Sequence, residues 1–143
     1  MYKVLIYGGG TIGSYLAACL YKKAEIYFIT RGNIFTEIKK NGLRIEVFRN
    51  KSKIKSYKLT KILNYDNVEK ISKNIKFDFI FITTKLTSNL HNILKKIDPY
   101  IGSNTSIIPP CTAIPFWFYL KLKRKFREKF FKKLKFYEKK KYH

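Results

Sequence analysis

Six residues near the start of the chain, Gly8 to Gly13, form the pattern G-x-G-x-x-G. The preceding residues 1–7 are apolar and β-branched, as is typical of a buried parallel strand. Apolar residues then recur at helical spacing, which predicts a helix whose buried stripe is Ile12, Tyr15, Leu16, Cys19 and Leu20. A turn between a strand and a helix presents free N–H groups and the positive end of the helix dipole to anionic phosphate. The pattern therefore predicts a pyrophosphate site, with Gly8, Gly9, Gly10, Thr11, Ile12 and Gly13 as the binding residues.

Each glycine of this turn has its own expected role. Gly8 permits the tight turn out of the strand, and Gly10 lets the backbone come close to a pyrophosphate. Gly13 lets the helix pack closely on its strand. The alternative interpretation is a glycine turn that only packs a strand on a helix.

Residues 25–30 read as a second parallel strand, so strand, turn, helix and strand form one βαβ unit. A domain that prefers NAD carries Asp or Glu at the end of this second strand, to bind the ribose hydroxyls. Here Arg31 follows the strand, and no carboxylate occurs before Glu37. An arginine can form charge-assisted hydrogen bonds to a 2′-phosphate, which favours NADP(H) over NAD. A solvated surface arginine is the alternative.

The rest of the chain continues this alternation of strands and helices. A short helix over residues 33–40 ends at Asn41–Gly42, and residues 43–48 alternate as a half-exposed strand. The lysine-rich region after it predicts a strand near 54–57 and a helical turn near 68–72. Residues 77–84 predict the fourth buried parallel strand, followed by a helix that buries Leu90, Ile93, Leu94 and Ile97 and by a strand over 105–108. His91 lies off the stripe of that helix, and we expect it to be a solvated residue.

These elements predict an α/β fold, a Rossmann-type doubly wound and mostly parallel sheet. Lys85 is at the carboxyl end of the fourth strand, where open α/β sheets bind ligands. Thr112 is in the loop 109–115, expected on the same side of the sheet. We place the dinucleotide-binding domain at residues 1–115.

Residues 116–143 differ in composition, with twelve Lys or Arg against two Glu. Apolar residues recur there every three or four positions, so the segment is expected to be a basic amphipathic helix or a disordered tail. Such a tail would contact polyanions non-specifically. The whole chain has a net charge of +22, compatible with nucleic acid, an anionic membrane or a phosphorylated ligand, although a lysine-rich codon bias would also produce it.

The two cysteines, Cys19 and Cys111, form no disulfide framework, and no metal-ligand spacing occurs. Cys19 is expected to be a small core residue. The apolar stretch 107–120 is interrupted by three prolines and is too short to span a bilayer. With a first strand that leaves no room for a signal peptide, these features favour a reducing cytoplasm and no metal.

The chain resembles the amino-terminal half of the ketopantoate reductase (2-dehydropantoate 2-reductase) family over residues 1–119. The matching features lie in one order along the chain: Gly8 to Gly13 with Ser14-Tyr15-Leu16-Ala17, Thr30-Arg31-Gly32, Asn41-Gly42-Leu43-Arg44-Ile45, Thr84-Lys85 and Ile114-Pro115-Phe116-Trp117-Phe118-Tyr119. The resemblance implies that NADPH is held by the glycine turn and Arg31, with Lys85 near the cofactor. Thr112 and Ala113 stand where the family has an asparagine and a glycine beside the nicotinamide and the substrate.

The family also has a helical domain that supplies a lysine general acid and a substrate-binding glutamate, and nothing in residues 116–143 matches it. The chain is therefore expected to be the cofactor-binding part of an oxidoreductase for a 2-keto acid, truncated and inactive alone, with its catalytic residues unknown. Two alternatives stay open. One is a nucleotide-binding module whose tail binds nucleic acid or an anionic membrane, and the other is one subunit of a split reductase.

Overall fold

The structure, a computed structural model, describes residues 1–85 and 90–108, without the side chains of Ile54 and His91. The predictions for the His91 side chain, for Thr112 in its loop and for the tail 116–143 lie outside this part of the chain. The elements in chain order are β1 (Tyr2–Tyr7), α1 (Thr11–Leu20), β2 (Ala24–Ile29), α2 (Gly32–Asn41), β3 (Leu43–Arg49), β4 (Ser52–Leu59), β5 (Leu63–Tyr65), β6 (Phe77–Ile82), α3 (Leu90–Ile97) and β7 (Ile101–Ile108). Two 3₁₀ helices, Val68–Lys70 and Asp98–Tyr100, join them.

The central sheet has five strands in the order β5-β2-β1-β6-β7, and every neighbouring pair is parallel. β2 and then β5 lie on one side of β1, and β6 and then β7, which come later in the chain, lie on its other side. The strand order thus reverses at β1, which makes the crevice at its carboxyl end the expected ligand site of such a sheet. The predicted α/β fold with a mostly parallel sheet is confirmed.

Both faces of the sheet are buried because side chains alternate between two apolar clusters along the strands. On one face, Val4 and Ile6 of β1 pack in a cluster with α1, the end of α2 and the β3–β4 hairpin. On the other face, Leu5 and Tyr7 pack in a cluster with the buried stripe of α3. That stripe, Ile93, Leu94 and Ile97 with the half-buried Leu90, is the one predicted from the sequence.

The orientation of α1 differs from the prediction. Gly13, Ala17 and Ala18 are the buried residues of α1, and Leu16 and Leu20 of the predicted stripe pack half-buried against the same core, whereas Ile12 and Tyr15 are about half exposed. Cys19 is exposed, so the prediction that it is a core residue was wrong. Small residues let the helix axis come close to the strands beneath it, and this close packing decides the face more strongly than the hydrophobicity of the larger side chains.

The region between α2 and β6 contains more structure than the sequence predicted. The predicted strands 43–48 and 54–57 are the antiparallel hairpin β3–β4, which forms a separate two-stranded sheet. The predicted turn near 68–72 is the 3₁₀ helix Val68–Lys70. The three-residue strand β5 was not predicted, and β7 begins at Ile101 instead of Thr105.

Candidate functional site

A cleft of about 350 Å³ opens at the carboxyl ends of β1, β2 and β6, where the strand order reverses. The residues that line it come from the glycine turn, the end of β2, the start of α2, the end of β6 and α3: Tyr7, Gly8, Gly9, Gly10, Ile29, Thr30, Arg31, Ile34, Thr84, Lys85 and Ile93. Sequence positions far apart along the chain therefore meet in one cleft.

The glycine turn packs closely against the residues that follow β6 and is hydrogen-bonded to them. Gly8 has a φ of +128°, a conformation that side chains disfavour. The Thr83 hydroxyl donates a hydrogen bond to the Gly8 carbonyl at 2.8 Å. A Cβ on Gly13 would lie 2.0 Å from that carbonyl oxygen and 2.6 Å from the Thr83 Oγ1. Only glycine fits at position 13, in agreement with the role expected from the sequence.

The opposite side of the turn faces open space. A Cβ on Gly10 would meet no atom of the described chain within 4 Å. Gly10 is also the N-cap of α1, whose first turn has neither a side-chain cap nor an acidic residue. The free N–H groups of this helix start are consequently available to an anion in the cleft, and the space beside Gly10 is the kind that a phosphate group needs.

Gly9 packs against the end of β2. A Cβ at this position would lie 2.6 Å from the Thr30 Cγ2 atom. Thr30 is buried, and its hydroxyl donates to the Asn64 Oδ1 at 2.7 Å. Asn64 in turn donates through Nδ2 to the Phe35 carbonyl of α2 at 3.1 Å. One asparagine on β5 therefore connects the end of β2, which leads into Arg31, with the body of α2.

Arg31 lies between β2 and α2 with an exposed side chain. Its Nη2 donates to the hydroxyl oxygen of the buried Tyr7 at 3.2 Å. This contact places the guanidinium at the cleft, where it stays exposed to solvent. The sequence had suggested Tyr7 only as part of an apolar strand.

Arg31 and Lys85 are the two cations among the lining residues of this cleft, and none of those lining residues is a carboxylate. Lys85 is exposed and follows β6 after Thr83 and Thr84. With the helix start of α1, these cations make the cleft electropositive. The arrangement suits a ligand that carries several phosphate groups.

The structure places most of the sequence-predicted site residues together. Gly8, Gly9, Gly10, Arg31 and Lys85 line the cleft, whereas Gly13 packs behind the turn and Thr11 and Ile12 form the exposed start of α1. Sequence reasoning missed the four residues that hold these positions: Tyr7, Thr30, Asn64 and Thr83. The positions of Thr30 and Thr83 just after buried strands were the available signal for two of them.

Among the described residues, no three His, Cys, Asp or Glu side chains come together as a metal site would require. None of the helices in the same part of the chain is long and apolar enough to cross a membrane.

Comparison with known proteins agrees with this geometry. The family model "Ketopantoate reductase PanE/ApbA" matches residues 4–110. A 2-dehydropantoate 2-reductase of Mesorhizobium japonicum is 27% identical over 119 residues, which are 82% of this chain and 33% of that protein. The chain thus spans about a third of the length of this relative.

Solved structures show the same fold. A protein named as a candidate ketopantoate reductase from Ralstonia solanacearum MolK2 matches with a TM-score of 0.65 and 21% identity, over 83% of this chain and 34% of its own. D-mandelate dehydrogenase in a ternary structure with NADH and anilino(oxo)acetate matches with a TM-score of 0.62 and 22% identity, over 90% of this chain and 37% of its own.

Proposed function

The chain belongs to the ketopantoate reductase family, and on that premise we propose that it binds NADP(H) as the cofactor-binding part of a reductase. The observation that carries the proposal is the cleft at the strand-order reversal, with its glycine turn, its two cations and no carboxylate among its lining residues.

The described residues suit a dinucleotide phosphate. The open space beside Gly10 and the uncapped start of α1 would receive the pyrophosphate, with Thr11 and Ile12 supplying N–H groups of the first turn. Arg31 would bind the 2′-phosphate and Lys85 would lie near the cofactor. Gly8, Gly9 and Gly13 keep the turn close to Thr30 and Thr83 and so fix the direction of these donors. We assign Thr112 to the same site from the family resemblance alone.

The bound cofactor would supply a hydride to a ketone carbon. In this proposal the protein's own described residues bind and orient it. The preformed turn lowers the entropy cost of holding the phosphates. Ile34 and Ile93 give the cleft part of an apolar wall.

Cofactor choice is the sharpest test, because the mandelate dehydrogenase with a similar fold contains NADH. If Arg31 binds the 2′-phosphate, the chain should bind NADPH at least about tenfold more tightly than NADH, about 1.4 kcal/mol. Arg31→Ala should remove most of this difference, while its affinity for NADH should change little. Arg49→Ala, a control at the exposed end of β3, should leave both affinities unchanged. Equal affinities of the natural chain for NADPH and NADH in a fluorescence titration would refute the assignment of Arg31.

We further propose that the substrate is a 2-keto acid, reduced as 2-dehydropantoate is reduced to pantoate in the family, and that this chain alone binds cofactor without turnover. The resemblance assigns the general acid to a helical domain, and the family match ends at residue 110. Ketone reduction needs a placed proton donor, whose loss costs about 10²–10⁴-fold in rate. NADPH oxidation that depends on ketopantoate and disappears in Lys85→Ala would contradict this, because it would reveal a donor within the chain. We expect the chain to be located in a reducing cytoplasm.

A further inference from the structure

A second cleft, of about 470 Å³, lies between the carboxyl end of α2 and the β3–β4 hairpin. Its lining residues are Ile38, Lys39, Lys40, Asn41, Gly42, Arg44, Lys58, Thr60, Ile62 and Asn64, and none of them lines the dinucleotide cleft. Four of these ten are cations, and none is a carboxylate. The second cleft is therefore an anion-attracting surface that the proposed reductase function does not use.

The four cations have no ion-pair partner within the described part of the chain, whereas other lysines there do. Lys70 pairs with Asp66 at 2.7 Å, and Lys96 pairs with Glu69 at 3.5 Å. Of the carboxylates nearest in sequence to the second cleft, Glu46 pairs with Lys53, whereas Glu37 accepts a hydrogen bond from the Asn41 amide, keeps its charge and lines a neighbouring cleft together with Arg44. The second cleft thus keeps a net positive charge, because four cations stand against the one neighbouring carboxylate that has no ion pair in the described part of the chain.

Helix geometry accounts for the positions of only two of the four cations in the second cleft. Lys39 and Lys40 lie in the last turn of α2, where the negative end of the helix dipole favours cations. Arg44 and Lys58, by contrast, stand directly opposite each other across β3 and β4. Like charges in that relation are destabilising. A lysine-rich composition raises the number of lysines, but it does not account for this pairing beside two further cations.

An exposed aromatic side chain lies farther along the same face of the hairpin. The alternation of β3 puts Phe48 on the exposed face with Arg44 and with Glu46, whose carboxylate is paired with Lys53, and the Phe48 side chain is 57% exposed. A β-bulge separates Val47 from Phe48, at the end of the hairpin that turns through Asn50. Phe48 is four positions beyond Arg44 along β3, a distance of roughly 14 Å.

We propose that this surface, the second cleft with Phe48, binds single-stranded nucleic acid. The four cations would neutralise backbone phosphates, and a base would stack on the Phe48 ring. Stacking is what selects a single strand, because the bases of a duplex are already stacked on each other and cannot cover an exposed ring. The site is separate from the dinucleotide cleft, so both ligands can be bound together.

The first test uses the full chain and a labelled oligodeoxythymidylate of about 20 nucleotides, with anisotropy measured against salt concentration. Replacing Arg44 and Lys58 together by Gln should lower the affinity about tenfold at low salt. It should also reduce the slope of log K against log salt by about 1.4, as expected when two phosphate contacts to a single strand are lost. The control is Lys73→Gln with Lys95→Gln, two exposed lysines outside the second cleft that change the net charge equally. Equal losses in both variants would overturn the proposal, since total charge alone would then set the binding.

The stability of the same variants separates binding from folding. Because Arg44 and Lys58 repel each other, their replacement should leave the urea midpoint unchanged or raise it while binding weakens. NADPH affinity should also stay unchanged, which distinguishes a failure of this proposal from a failure of the reductase assignment. A variant that loses nucleic acid binding only in proportion to lost stability would overturn the site.

Phe48 provides the test of stacking. Phe48→Leu keeps an apolar side chain but should weaken single-strand binding about tenfold, whereas Phe48→Tyr should preserve it. A duplex of the same sequence should bind more weakly and should not respond to either change. A response of single strand and duplex alike to Phe48→Leu would refute stacking.

Two other outcomes would assign the positive charge differently. If a version that ends at Tyr119 loses all oligonucleotide binding while the Arg44 and Lys58 variant keeps it, the contact surface is the segment after Tyr119. If the chain binds phosphatidylserine vesicles but not the oligonucleotide, the ligand is a lipid surface. Each result would overturn the proposal.

Discussion

Gly13 and Gly10 have different roles in the same turn. Alanine at each position distinguishes an effect on protein stability from an effect on cofactor binding. At Gly13 a Cβ would overlap the Gly8 carbonyl oxygen, so α1 or the turn must shift. We expect Gly13→Ala to destabilise the protein by about 1–3 kcal/mol in urea unfolding. Gly10 has open space around it and an ordinary extended backbone with φ of −74°, so Gly10→Ala should unfold near the midpoint of the natural chain.

For NADPH binding we expect the opposite order, with a larger loss of affinity from Gly10→Ala than from Gly13→Ala. The methyl group of Gly10→Ala would occupy the space that we assign to the pyrophosphate, and we expect at least about a tenfold loss of affinity. A Gly10→Ala variant that binds NADPH as well as the natural chain would show that the phosphates lie elsewhere.

Tyr27 makes stability depend on alkaline pH. Burial of its hydroxyl, and the hydrogen bond that it donates to the Glu25 carboxylate at 2.9 Å, raise the pKa of Tyr27 from 10.0 to about 12. In the unfolded chain tyrosine ionises near its ordinary pKa, so between about pH 10 and 12 the unfolded state holds fewer protons than the folded state. The contribution is fully present below about pH 10, and stability should fall as the pH rises through this window.

Urea unfolding measured at steps through this range checks the prediction. The Tyr27→Phe variant, which has no hydroxyl to ionise, should lose less stability over the same interval. Parallel pH profiles for the two proteins would mean that other tyrosines or the lysines cause the loss.

At the scale of elements, the sequence predicted the helices and strands that have a clear hydrophobic period. It missed the features that depend on how the elements pack together. Long apolar strands such as β1 and β6, and the strongly amphipathic α3, could be placed because burial on one or both faces leaves a clear pattern. The predicted face of α1 was right for Leu16 and Leu20 but wrong for Ile12, Tyr15 and Cys19, because the close approach of the helix at Gly13 and Ala17 turns it toward the small residues. Strand β5 is only three residues long and gives too short a pattern to read.

The candidate site shows the same division. A local motif identified the glycine turn, and position after a strand identified Arg31 and Lys85. The contact of Arg31 with Tyr7 and that of Thr30 with Asn64 join residues 24 and 34 positions apart. Pairings over such distances are set by the order of strands in the sheet, which no single stretch of sequence contains.

Asn64 tests whether β5 fixes the end of β2. Its side chain joins the Thr30 hydroxyl to the Phe35 carbonyl, and Asn64→Ala would leave the buried hydroxyl group without that acceptor. We expect a loss of about 1–3 kcal/mol in urea unfolding, together with weaker NADPH binding because Arg31 follows Thr30 directly. Asn74→Ala, at an exposed position in the same region, is the control and should change neither property.

The outcome for Asn64 has two parts that can differ. Lost stability with full preference for NADPH over NADH would mean that Arg31 is held by Tyr7 alone. Unchanged stability in Asn64→Ala would contradict the role of β5 itself.

The net charge of +22 is a property of the whole molecule, and it should make stability depend on salt. Only seven acidic residues accompany the nineteen Lys and Arg of residues 1–108, so the folded chain concentrates like charges that the expanded chain keeps farther apart. Added sodium chloride shortens the Debye length from about 30 Å at 0.01 M to about 8 Å at 0.15 M, which screens this repulsion. We therefore expect the urea midpoint to rise steeply over that range and to level off above it.

The shape of that curve distinguishes screening from other effects of salt. A rise that continues linearly to molar concentrations would indicate exclusion of salt from the protein surface, because screening is nearly complete by then. Replacement of Arg44 and Lys58 by Gln and the control replacement of Lys73 and Lys95 by Gln each remove two positive charges. The urea midpoint of the first variant should rise less with added salt than that of the control, because only the first variant removes two like charges that face each other in the fold. If the two variants respond equally, total charge governs stability and the arrangement of charge on the hairpin does not.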